Sequence, residues 1–100
     1  EKVETIADSL APPLTLPYSF SMCREHLDEL VMVDDDDLRR AMVLIFQDLK
    51  FAVEPACAAA VAALTGPLRE ELSGKRIGLI FCGSNIDPDT FSNFLRAYRK

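Results

Sequence analysis

The chain predicts an α/β fold with parallel strands, and three observations carry the prediction. Two short, uniformly apolar runs, Leu30-Val31-Met32-Val33 and Ile77-Gly78-Leu79-Ile80-Phe81-Cys82, have the composition of strands covered on both faces. Stretches of helical periodicity alternate with them. The second run ends in the small residues Gly83-Ser84-Asn85, at the strand end where open α/β sheets bind ligands.

The opening Ala11-Pro12-Pro13-Leu14-Thr15-Leu16-Pro17 is extended loop, because proline removes backbone donors and disfavours helix before it. Phe20, Cys23 and Leu27 recur at three- and four-residue spacing, which predicts a short amphipathic helix over 18–29. After the first strand, Asp34 is placed to cap a helix whose face carries Leu38, Met42, Ile45, Phe46 and Leu49. The run Asp34-Asp35-Asp36-Asp37 reads as that helix start and not as a metal site, since adjacent carboxylates on a helix point in different directions. Pro55 opens an alanine-rich helix able to pack closely, and Gly66-Pro67 interrupts it. A turn or two of helix over 68–72 closes at Gly74. The second strand follows, and Asp87-Pro88 starts a last helix through Phe91, Phe94 and Leu95 that ends in Arg99-Lys100. Two strands make a meagre sheet, so partner strands are expected elsewhere.

One hundred residues, 49% of them hydrophobic, are enough for one modest core or for a piece of a larger domain. The chain opens on Glu1-Lys2-Val3-Glu4 without a basic leader or an apolar run. It therefore reads as starting inside a longer protein, with neither secretion nor membrane insertion expected. A net charge of −5 argues against nucleic acid as partner. Three widely spaced cysteines fit no disulfide framework or zinc site, and a cytoplasmic location is expected. The single histidine, His26, leaves no His-based triad.

Three blocks, read in order, are similar to one family. Glu4-Thr5-Ile6-Ala7-Asp8-Ser9-Leu10, Leu49-Lys50-Phe51-Ala52-Val53-Glu54-Pro55-Ala56, and Cys82-Gly83-Ser84-Asn85-Ile86-Asp87 resemble collinear segments of threonine/serine dehydratases and serine racemases. These are pyridoxal-phosphate-dependent enzymes of fold type II, with tryptophan synthase beta-like architecture. The resemblance implies that residues 1–100 are the C-terminal part of the large cofactor-binding domain. It also implies a parent lyase that dehydrates and deaminates L-threonine or L-serine to a 2-oxo acid. Serine racemisation and ammonia loss from a hydroxyaspartate are the related alternatives. A non-catalytic α/β interaction module is the alternative from another class.

The same resemblance implies the site. Cys82 stands where a Ser or Cys faces the pyridine nitrogen of the cofactor, a neutral partner that moderates the electron sink. Glu54 matches a glutamate near the cofactor ring, and a residue that merely starts a helix is the plainer reading. Asp8, followed by Ser9, matches an aspartate of the pocket-lining segment and otherwise reads as a turn residue. Gly83, Ser84 and Asn85 complete the cofactor-side turn. Ser9 and Ser84 replace glycines common in relatives, which bears on substrate selectivity. In the serine racemase branch the positions of Lys50 and Asn85 contact a nucleotide effector, which is not carried over here.

The family's anchoring lysine, substrate-carboxylate loop and glycine-rich phosphate cradle have no recognisable counterpart. Its divalent-cation ligands would fall upstream of Glu1. No catalytic base is therefore expected in this segment, and 1–100 alone is expected to be inactive. Expected partners are the rest of the enzyme, a small amino-acid substrate and further copies in a homo-oligomer.

Overall fold

Two helices packed on each other form the centre of the molecule. The computed structural model describes residues 3–98. Four α-helices occur among them: α1 (Pro17–His26), α2 (Asp35–Leu49), α3 (Pro55–Thr65) and α4 (Pro88–Arg96). Leu38, Ala41, Met42 and Ile45 recur at helical spacing on α2 and are buried. They meet Cys57, Ala58, Val61 and Ala62 of α3 in one core cluster. Met42 and Ala58 are both 0% exposed. Alanine along α3 lets the two backbones approach, which is the close packing its composition predicts.

The acidic run divides its work at the start of α2. The Asp34 side chain accepts the Asp37 N–H at 2.7 Å, and Asp37 accepts the Asp34 N–H at 3.5 Å, a capping box. Asp35 instead reaches back to the chain's beginning. It accepts the Thr5 hydroxyl at 2.5 Å and the Ile6 N–H at 3.1 Å. Asp36 pairs with Arg39 at 2.8 Å and Asp37 with Arg40 at 3.4 Å. The predicted helix start is thus observed, with an added clamp that seats Ala7 in the core. Replacing Asp34 with alanine is expected to cost about 1 kcal/mol. The measurement is the urea midpoint, and an unchanged midpoint would refute the capping role.

Helix α4 lies on α2 through an edge-to-face pair of Phe46 and Phe91, with centroids 5.4 Å apart. Arg39 sits over the Phe94 ring, and Arg40 donates to the Tyr98 hydroxyl at 2.8 Å. The Arg99-Lys100 end expected for this helix lies outside the described residues.

The two expected strands are not shown, and two further expectations need correcting. Among the described residues there is no strand. The runs 30–33 and 77–82 are extended but unpaired, with Met32 83% and Ile80 80% exposed. A strand exists only as one side of a hydrogen-bonded ladder, and these two runs do not pair with each other. Residues 68–72 form turns and not a regular helix, closing at Gly74 with its left-handed φ of 74°. Helix α1 stops at His26, short of Glu29, and all its residues are exposed. With no packing surface, nothing extends it past its own local preference. Asp8 starts a 3-10 turn, Asp8–Leu10, in keeping with its plainer reading as a turn residue.

Candidate functional site

The candidate site is assembled where the end of the 77–82 run passes the start of α3. Phe81 anchors the approach by packing edge-to-face on Phe51, with centroids 6.2 Å apart. The Gly83 carbonyl then accepts the Glu54 N–H at 3.3 Å, joining the turn to the first residue before α3. One step on, the Ser84 carbonyl accepts the Ile86 N–H at 2.9 Å, a tight turn about Asn85. Asp87 ends the turn by capping α4, accepting the Thr90 N–H at 2.9 Å.

Hydrogen bonding from Thr90, its side chain first and its backbone second, lowers the Asp87 carboxyl below its ordinary range. A folded-state value below the unfolded one means the cap is complete above the ordinary range. It is lost as pH falls through the lowered value.

A cleft of about 460 Å³ opens beside this turn. One wall is Lys50, Phe51, Ala52 and Val53, and the other is Phe81, Cys82, Gly83 and Ser84. Cys82, Ser84 and Asn85 are exposed, whereas Phe81 and Gly83 are half-buried. The alternation turns the thiol and the Ser84 hydroxyl outward and leaves Gly83 facing the protein. Glu54 is half-buried on that inner side, and its carboxylate lies where a side chain on Gly83 would be.

Of the seven residues singled out from sequence, Cys82, Gly83 and Ser84 line the cleft, and Glu54 and Asn85 adjoin them at the turn without lining it. Asp8 and Ser9 are not among the residues lining the cleft. They are exposed in the 3-10 turn, where Asp8 accepts the Ser9 N–H at 2.8 Å. Five cleft residues, Lys50, Phe51, Ala52, Val53 and Phe81, carried no assigned role from sequence. Lys50 ends α2 with a left-handed φ of 62°, a conformation that a lysine does not announce. Phe51 lies inside the second block and Phe81 just before the third, and only their pairing across the cleft marks them.

Lys75 follows Ser73-Gly74 and so completes a Ser-X-Lys tripeptide. It is exposed beyond the left-handed Gly74 and does not line the cleft. Among the described residues no group of three His, Cys, Asp or Glu side chains is arranged to hold a metal ion. Cys23, Cys57 and Cys82 are free thiols. No helix among the described residues is long and apolar enough to cross a membrane.

Comparison with known proteins bears on this turn and its surroundings. The family model described as pyridoxal-phosphate dependent enzyme matches residues 1–83. The chain is 54% identical over 93 residues to a phenylserine dehydratase of Ralstonia pickettii, covering 93% of the chain and 28% of that protein. It is 33% identical over 93 residues to an L-threo-3-hydroxyaspartate ammonia-lyase of Saccharomyces cerevisiae, covering 92% of the chain and 28% of that protein. It is 30% identical over 98 residues to an L-threonine ammonia-lyase of Thermotoga maritima, covering 95% of the chain and 24% of that protein. The chain thus spans under a third of the length of these relatives.

Proposed function

The chain belongs to the pyridoxal-phosphate-dependent enzyme family, of fold type II architecture, and from that premise we propose that it is the C-terminal part of the large cofactor-binding domain of an ammonia-lyase. The parent enzyme dehydrates and deaminates a β-hydroxy α-amino acid, L-threonine or L-serine, to a 2-oxo acid. The observation that carries this reading is the Cys82 turn, held to the start of α3 and opening on the cleft.

The donor set fits one edge of the cofactor. An exposed thiol and a neighbouring hydroxyl offer neutral hydrogen-bonding groups to a ring nitrogen without imposing a charge on it. When bound, the cofactor supplies the electron sink that lets the α-proton and the β-hydroxyl leave. Cys82 would hold the ring nitrogen, Ser84 and Asn85 would shape the wall beside it, and Glu54 would brace the turn from behind. Asp8 and Ser9 would belong to the neighbouring pocket segment, outside the cleft. The lysine and the phosphate cradle belong to the rest of the enzyme.

Fold considerations support the same proposal. The extended runs 30–33 and 77–82 carry large apolar side chains in the open, Leu30 at 78% exposure. Such runs suit strands of a parallel sheet whose other members lie in the remainder of the protein. A homo-oligomer in the cytoplasm is the proposed setting, and the three unbridged cysteines suit a reducing compartment.

The 54% identity to a phenylserine dehydratase favours a second reading, in which the β-carbon of the substrate carries an aryl group. A panel of L-threonine, L-serine, threo-phenylserine and threo-3-hydroxyaspartate, offered to the full-length enzyme, decides between them. The assay follows 2-oxo acid and ammonia, together with D-serine formation. Turnover of none of the four would sink the lyase proposal. Residues 1–100 mixed with the cofactor are expected to give neither turnover nor a borohydride-reducible cofactor label. A stable label with turnover would overturn that expectation.

A further inference from the structure

We infer that Gly83 is the seat of the Glu54 carboxylate, and that Glu54 is thereby a positioning residue that sets the charge behind the Cys82 wall. Three observations place the pair. The Glu54 N–H donates to the Gly83 carbonyl at 3.3 Å, so the two backbones run side by side. A Cβ built on Gly83 would run into the Glu54 carboxylate oxygen and stand 3.2 Å from its carboxyl carbon. Glu54 also precedes α3 at the capping position, yet its side chain does not cap the helix. The carboxylate is turned away from the helix start and onto the glycine.

The pair also explains an asymmetry in the turn. Ser84 is exposed, and its side chain faces out without conflict. Gly83 faces in, and any side chain there meets Glu54. A methyl at position 83 is accommodated by swinging the flexible carboxylate aside, so Gly83→Ala moves the charge and preserves the fold. Lys50 lines the cleft with Cys82, and Asp87 ends the turn that follows it.

The consequence for catalysis rests on the lyase proposal; the pairing itself does not. The test uses full-length enzyme carrying Gly83→Ala, Glu54→Gln or both. A carboxylate behind the wall favours the more protonated form of the bound cofactor. Glu54→Gln is therefore expected to move the pH midpoint of the cofactor's visible absorbance down by about half a unit to one unit. Gly83→Ala moves it the same way, and the double variant no further than Glu54→Gln alone.

A second readout needs no cofactor. Alkylation of Cys82 by iodoacetamide in cofactor-stripped full-length protein, followed by peptide mass spectrometry, accelerates roughly two- to fivefold in each single variant. The double variant is again no faster than Glu54→Gln. An unchanged rate and midpoint in Gly83→Ala, or effects that multiply in the double variant, would overturn the pairing. Full-length protein without a cofactor band would refute the lyase proposal and leave the alkylation cycle to decide the pair. Should Gly83→Ala fail to fold, a folded Gly83→Ala in a Glu54→Ala background supports the pairing, and an unfolded one overturns it.

Discussion

Met42→Ala is expected to lower the unfolding free energy by about 3 kcal/mol, the upper range for a single change in this chain. Met42 is 0% exposed and lies on α2 in the cluster shared with Ala58, Val61 and Ala62 of α3. Truncation removes the transfer energy of the side chain and leaves a cavity that two helices cannot collapse without losing their other contacts. A domain of this size has little stability in reserve. Residues 1–100 carrying the change are therefore expected to lose most of their helical circular dichroism at 25 °C. Met42→Leu, nearly equal in volume, is expected to cost less than about 1.5 kcal/mol. Equal losses from both substitutions would show that packing at this point is not what holds α2 to α3.

Met32 provides the contrast. It is among the exposed large hydrophobics, in the extended run before α2. Met32→Ala is expected to be neutral within about 0.5 kcal/mol in residues 1–100, as for other exposed side chains. In the full-length enzyme the same change is expected to destabilise, because the proposed sheet would bury that position. Urea titration of both proteins checks the pair, and neutrality in both would remove the support for a strand at 30–33.

Cys82→Asp is the substitution with the largest expected effect on activity. In the proposed enzyme it would lower kcat about a hundredfold, close to 3 kcal/mol of lost transition-state stabilisation. A carboxylate at that place favours a protonated ring nitrogen, where the native thiol imposes no charge, and so alters the electron sink. KM is expected to change far less, since in the proposed enzyme Cys82 would meet the cofactor ring and not the substrate. Cys82→Ser keeps a small neutral hydrogen-bonding group and is expected to stay within several-fold of the native kcat. Steady-state kinetics on the better substrate of the panel decides. A native kcat in Cys82→Asp would remove Cys82 from the site.

The site was legible in its turn and illegible in its bracing. Cys82, Gly83, Ser84 and Asn85 stand in a row, and a row of small residues after an apolar run marks a strand end locally. Glu54 could be singled out only through resemblance to a family. Its contact with Gly83 links positions twenty-nine apart (83 less 54) through a backbone bond and a missing Cβ, neither of which has a pattern in sequence. The same holds for Asp35, which reads as one more acid in a helix start but spends its oxygens on Thr5 and Ile6.

What the sequence determined by itself is the set of features made within a few residues. Asp34 before α2, Pro55 opening α3, Gly66 closing it and Asp87 before α4 are each local solutions to unpaired backbone groups at helix ends. The spacing of Leu38, Met42 and Ile45 likewise settles which face of α2 is buried, because one helical turn fixes it. Tertiary structure alone decided whether the two apolar runs become strands and which carboxylates clamp distant segments. A strand is completed by another segment's backbone, and a clamp by another segment's donors. Neither partner is written in the neighbouring residues, and so it is with the Cys82 turn, whose thiol the sequence marks and whose backing by Glu54 only the fold supplies.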